Sequence, residues 1–437
     1  MRKQIFLTDY DVKSGELCTG KLQQAVDDAV KENAELIVTE GTYLTGTINL
    51  KGVRLILERG AVLQASGNID DYDVLPIIHN EMKMINPIFY SLESDGLYIG
   101  GEGTLDLNAR AFFKEEREIP AYGKEFSEEQ VQECTRKYDE RSYQPIYFQN
   151  CRNMEMKDFH VKDAPCWTFS FNQCKNIRVI GLDIENDLTI PNNDGMHFCG
   201  CSRIMIKDCR ITAGDDCIAL SGITNWDVPC EDVVISGCIL ESCSKAVSIG
   251  YMHSIVRNVT VTNCIFRRCQ RGVCLMASEG TGLVENVILS DLIIETSVKA
   301  GNWWGNGEPI CFVGVEHDIP IYKDPIPDRH LKENIRNIMI SHIICQAEHV
   351  IAMVGGGQNI AHVMIDGMIF EAKKSQNRYL KGENCIDVSP SAEKVNKKPG
   401  ENTWGYFRGV KELDFHGICA HGINGELLEA ELQDIEK

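Results

Sequence analysis

The chain has 437 residues, with 64 acidic side chains against 44 basic ones and a formal net charge of -20. That balance opposes non-specific attraction to nucleic acid or to an anionic membrane and points to a small molecule or a sugar as the partner. The length exceeds that of a usual single domain, yet no Gly/Ser-rich or Pro-rich linker divides it, so one elongated repeat domain over 1–437 is expected.

At the N-terminus, Met1 to Asp9 carries basic residues, but its apolar run is interrupted and no small-residue cleavage site follows, so no secretory signal is expected. No apolar stretch is long enough to cross a bilayer. The 19 cysteines are odd in number, lack the spacing of a small disulfide scaffold and fall mostly at apolar strand positions; they read as reduced core residues of a cytoplasmic protein. Next, Lys21 to Val30 has helical spacing and is predicted to cap the open end of a strand stack, which would otherwise expose unpaired edges.

A repeat follows. Segments beginning at Asn153, Asn176, Arg203, Asp232, Asn258, Asn286, Asn337 and His362 carry apolar residues one, three, six and eight positions later. In the segment from Asn258, Val259 and Val261 alternate as in a strand, the turn-type Asn263 shifts the phase, and Cys264 and Phe266 resume the alternation. Two short strands meeting at a corner are predicted. Successive starts lie 23, 27, 29, 26, 28, 51 and 25 residues apart, which describes coils of similar length with one gap that holds two coils or a coil plus an insertion. Each coil can bury its apolar stripe only against its neighbours, so the fold is predicted to be all-β, a right-handed parallel β-helix with an N-terminal capping helix, over about 15–375. Leucine-rich repeats share part of this period, but they need a regular leucine frame and a helical return segment, neither of which is seen. From Lys373 to about Arg408 the chain is polar without alternation and the last thirty residues return to apolar spacing, so 376–437 is read as a loop followed by a C-terminal cap.

The chemistry concentrates in two short motifs. Gly214-Asp215-Asp216-Cys217 begins 21 residues after Asn193-Asp194-Gly195, about one circuit of the repeat, which would bring Asp194, Asp215 and Asp216 to one face. Two opposed carboxyl groups, one protonated and one ionised, are what acid/base cleavage of a glycosidic bond requires. The bland alternative has the two aspartates serving a polar turn and Asn193 joining a stack of side-chain amides. No redox, phosphate-binding or nucleotide motif occurs, and neither a cofactor nor a metal is expected; Cys199-Gly200-Cys201 has no matching second pair.

Gly41 to Leu50, Leu55 to Ser66 and Gly100-Gly-Glu-Gly-Thr-Leu-Asp106, followed in order by the two carboxylate motifs and Ser248-Ile-Gly250, resemble the polygalacturonase family of glycoside hydrolases, family 28, over roughly 15 to 300. The resemblance implies a β-helix with a cleft on one face and hydrolysis with inversion. It makes Asp215 the general acid, while Asp194 and Asp216 would hold and deprotonate the attacking water. The family's Gly-His-Gly segment is here Ser244-Lys245-Ala246, and its Arg-Ile-Lys triplet, whose cations hold a galacturonate carboxylate, aligns with Cys274-Leu275-Met276. Rhamnogalacturonan-cleaving relatives also lack both features, which points away from plain polygalacturonan.

Asp216, Lys245 and Arg271 each stand thirteen residues past a coil start, so they should stack along one face and pair in charge; Lys245 would orient Asp216 or bind substrate. Asn193 and Arg271 join it as candidate substrate-binding residues. Trp303, Trp304 and Glu308, in the long interval between repeats, could form a sugar-stacking wall with a polar contact. His197, Tyr251 and His253 are further substrate-contact candidates beside the motifs. The function expected is that of a cytoplasmic inverting hydrolase acting, from a chain end, on short α-linked galacturonate-containing oligosaccharides. A uronate lyase or epimerase that holds calcium on the acidic pair is one alternative, and a non-catalytic carbohydrate-binding β-helix is another. Composition and motifs leave the oligomeric state open.

Overall fold

The computed structural model describes residues 2–76, 84–317, 326–374, 377, 385–391 and 403–436. Two long parallel ladders make up almost all of it, one of 21 short strands and one of 12. A single coil shows the logic. From Arg203, the positions read as apolar are Ile204, Ile206, Cys209 and Ile211, and all four are buried. Strand Ser202–Lys207 turns into Arg210–Ala213, and Ile218–Ser221 then closes the circuit in the second sheet.

The backbone explains the residues that open each coil. All eight predicted starts have φ between 53° and 58°, the left-handed region in which Asn and Asp are several-fold enriched. Five positions later stands a second left-handed residue: Asp158, Gly181, Asp208, Gly237, Asn263, Asp291, His342 and Gly367 in successive coils. This is the predicted corner. The opening amides also bond from coil to coil, Asn176 to Asn153 at 2.8 Å, Asn286 to Asn258 at 3.0 Å and Asn337 to Asn286 at 3.0 Å.

Inside, aromatic rings of adjacent coils lie against each other, with Phe148–Phe171 at 5.3 Å and Phe171–Phe198 at 4.6 Å between centroids. The long gap in the period holds one coil plus an insertion, because Leu283–Thr296 pairs directly with Ile335–Ala347. Helix Thr19–Lys31 contains the predicted helical segment and buries Leu22, Ala25, Val26 and Ala29. No helix among the described residues is long and apolar enough to cross a membrane.

The C-terminal end differs from the loop and cap expected of 376–437. Val410–His421 pairs in parallel with Ile360–Ala372, and Thr403–Arg408 and Glu429–Gln433 extend the 12-stranded ladder. The apolar spacing of the last thirty residues thus continues the coil period instead of closing it. Most of 376–402 lies outside the described residues, while in 385–391 Ile386 and Val388 are buried against the stack.

Candidate active site

Strand register assembles the site. In the 12-stranded ladder Met196 pairs with Ile218 and Ile218 with Val247, so Asp194, Asp216 and Lys245, each two residues upstream, stand at equivalent places on three adjacent coils. Lys245 pairs in turn with Arg271 on the fourth. Asp215 precedes Asp216 in the turn, and one carboxylate oxygen from each of Asp194, Asp215 and Asp216 lies within 4.8 Å of the others. Those nearest oxygens sit closer than the spacing of about 6.5 to 9.5 Å expected between acid and base of an inverting site.

The two motifs are stapled together by Asn193. Its Oδ1 accepts from the Gly214 amide at 2.6 Å and its Nδ2 donates to the Asp187 carbonyl at 2.9 Å. At Gly214 a Cβ would meet the Ile190 carbonyl oxygen at 2.4 Å, so the turn that presents Asp215 admits no side chain there. Asn193 is completely buried and outside the cavity wall. It braces the turn and does not face substrate, which corrects its assignment to the substrate-binding group.

Charge is distributed unevenly over the triad. Lys245 donates to both oxygens of Asp216, at 2.8 and 3.1 Å, and to Ser244 Oγ at 3.1 Å. Burial alone would lower the Lys245 ammonium, yet Asp216 and Asp215 hold it above its ordinary value. Burial, followed by the charges of Asp215 and Asp216, pushes the Asp194 carboxyl well up. Asp215 is pushed up to about 6, by burial first and by Asp216 second. His197 is forced down to about 3 by burial and by Lys245, so its 3.8 Å approach to Asp194 is no ion pair.

The three aspartates open into a cavity of about 640 Å³. His197, Tyr251, Trp303, Trp304 and Lys245, all candidates for substrate contact from the sequence, line it. Trp304 stacks on Tyr251 at 6.4 Å and takes the Lys245 ammonium on its face at 5.4 Å. Three further candidates fall outside the wall. Arg271 and Glu308 are both 0% exposed and face each other at 3.3 Å, with Arg271 also reaching the Asp387 carbonyl. His253 bonds Thr281 at 2.7 Å and meets the edge of Trp226. The charge stack was read correctly, but a fully buried arginine at its end must satisfy itself within the protein. Arg271→Met should therefore lower the unfolding free energy by roughly 3 to 5 kcal/mol in a denaturant titration, because Glu308 would be left buried without its counter-ion. A substrate contact would instead raise KM with the midpoint kept.

Sequence reasoning passed over Trp167, Tyr143, Asn192, Ser244 and Ser248, all in the wall. Trp167 had a legible signal: Phe169 pairs with Met196, so Trp167 heads the same column as Asp194. It packs on His197 with ring centroids 3.8 Å apart. Asn192, which approaches Asp215 at 3.5 Å, has no such periodic position, since it belongs to the turn.

Residues 95–301 match the family model of Glycosyl hydrolases family 28. Polygalacturonase QRT2 of Arabidopsis thaliana is 28% identical over 156 residues, 34% of this chain and 34% of the relative. A polygalacturonase of Nicotiana tabacum is 23% identical over 301 residues, 66% of this chain and 67% of the relative. The chain spans about a third of the length of the first curated relatives that it matches. Among solved structures, the hyperthermoactive exopolygalacturonase from Thermotoga maritima aligns with a TM-score of 0.67 at 18% identity, over 96% of this chain and 91% of that one. The family 28 exopolygalacturonase of Yersinia enterocolitica gives 0.70 at 13%, over 100% and 78%. At such identities the likeness is one of fold. The segment 95–301 over which the chain matches glycosyl hydrolases family 28 contains the whole carboxylate column.

Proposed function

We propose that the protein is an inverting glycoside hydrolase of α-linked, galacturonate-containing oligosaccharides of rhamnogalacturonan type, acting from a chain end in the cytoplasm. The convergence of Asp194, Asp215 and Asp216 at the floor of an open, aromatic-walled cavity carries this reading. Asp215, partly exposed and pushed up to about 6, keeps a proton for the leaving oxygen. Asp216, in its ion pair with Lys245, takes the proton of the attacking water, and Asp194 holds that water. The close approach of the three carboxylates makes the stereochemistry a direct test: proton NMR of the first released sugar should show the anomer opposite to that of the substrate, and the same anomer would sink the inverting assignment.

The pH dependence has a definite sign. Turnover needs Asp215 protonated, so kcat should fall about tenfold per unit as pH rises beyond about 6. A profile flat from pH 5 to 8 would remove Asp215 from the acid role.

Loss of the uronate-binding triplet supports a substrate other than plain polygalacturonan, since Cys274, Leu275 and Met276 are buried apolar side chains. Chain-end action is the activity carried in the names of the two structural neighbours, for those proteins. The cytoplasmic assignment leans on 19 free thiols, all but Cys385 and Cys419 buried, and cell fractionation tests it. A right-handed winding agrees with the general hand of parallel crossovers, and the helix Thr19–Lys31, with its buried face, suits a cap on the first coil. A calcium-dependent lyase is disfavoured because the Lys245 ammonium already stands where a cation would meet Asp216.

A further inference from the structure

We propose that the sugar ring seated against Asp215 and Asp216, the one whose glycosidic bond is cleaved, carries no carboxylate: it is a neutral hexose or deoxyhexose, with any galacturonate on the far side of the bond. This rests on the hydrolase reading above and fixes the chemical class at its central subsite.

The charge of the seat argues for it. Three carboxylates meet there within 4.8 Å, and Glu118 adds a fourth at the rim. Among the described residues in the wall, Lys245 is the one lysine or arginine. An ammonium has three donors. Those of Lys245 are taken by Asp216 Oδ1, Asp216 Oδ2 and Ser244 Oγ, and its remaining face lies over Trp304. It therefore neutralises the triad from within and has no hydrogen left to offer a substrate carboxylate.

The neighbouring positions do not supply a replacement. His197 lies in the floor as a neutral ring, since burial and Lys245 force its pKa down to about 3. Arg271, one coil beyond Lys245, is sealed against Glu308 and Asp387. A uronate carboxylate at this place would thus find no cationic partner, and taking it out of water without one costs more than leaving it outside. The floor contains Ala219, Ile223 and Trp167, an apolar and aromatic surface that suits the C–H face of a neutral ring.

The experiment compares two neutral aryl α-glycosides, the α-galactopyranoside and the α-rhamnopyranoside, with the α-galactopyranosiduronate, which differs from the galactoside only at carbon 6. Turnover is measured with the intact enzyme, and binding by calorimetry with Asp215→Asn. The neutral glycosides should be favoured at least tenfold in kcat/KM and in Kd, a difference of about 1.4 kcal/mol. Equal or better turnover or binding of the uronide would overturn the proposal while leaving the hydrolase intact. Selective binding of the neutral glycosides without any turnover would support the neutral seat and sink the hydrolase reading. Neither binding nor turnover of any of the three would overturn both.

Discussion

Asp215→Asn should lower kcat roughly 10³-fold or more, about 4 kcal/mol of barrier, while substrate Kd stays within a few-fold. The amide keeps the shape of the side chain and can still accept from the groups that meet the Asp215 carboxylate, the side chains of Asn192, at 3.5 Å, and Ser244 and the backbone amide of Asp216, while Ser242 holds the backbone carbonyl. What it loses is the transferable proton. Stability responds with a sign opposite to that of an ordinary active-site lesion. The folded state holds the Asp215 proton more tightly than the unfolded chain does, up to about pH 6 against the ordinary 3.8. Ionising the group therefore costs stability that disappears as pH rises from 3.8 through about 6, and the asparagine variant avoids that cost. The variant should match the parent in denaturant midpoint at pH 3.5 and exceed it at pH 8. A variant that is less stable at pH 8 would mean that the Asp215 carboxylate is a stabilising partner, and the acid role would lose its physical basis.

The coil architecture was legible because its signal is periodic. Apolar residues one, three, six and eight positions after each start are the ones the structure buries, and Asn or Asp at the start reflects a left-handed backbone that most side chains avoid. Register then carried the reading into the site, since Asp216, Lys245 and Arg271 do occupy one column. Direction within the column was not legible. Whether Arg271 turns to the cleft or to Glu308 depends on the insertion after Thr296 and on Asp387, which lies 116 residues further along the chain. Asn193 was misjudged for the same reason, because its partners, the Gly214 amide and the Asp187 carbonyl, follow from the path of the turns. The end of the stack was hidden by the polar stretch from Lys373 to about Arg408, which interrupts the period without ending it.

Lys245→Ala should lower the unfolding free energy by roughly 3 to 5 kcal/mol, as much as Arg271→Met, and unlike it should act on the catalytic carboxylates directly. Asp216 is 7% exposed, and its remaining partner would be the amide of residue 245 at 3.1 Å. A buried carboxylate so deprived escapes its desolvation by taking up a proton, and a protonated Asp216 cannot receive one from water. Activity should therefore fall together with stability, and the acidic limb of the kcat profile should move toward higher pH. That shift separates a positioning residue from a merely structural one. Lys245→His, which restores the residue type of the resembling family, should regain part of both quantities, because an imidazole with an ordinary pKa near 6.5 would be held charged by Asp216 and Asp215. The pair Lys245→Met with Asp216→Leu, made beside each of its two single variants, isolates the contribution of the charge pair. Removing both charges should recover most of the lost stability, since neither ion is left unpaired, while turnover stays absent for want of a base. If the double variant were as unstable as Lys245→Ala, the cost would lie in packing against Trp304 and not in the charge on Asp216. The column would then be a scaffold element that happens to border the cleft.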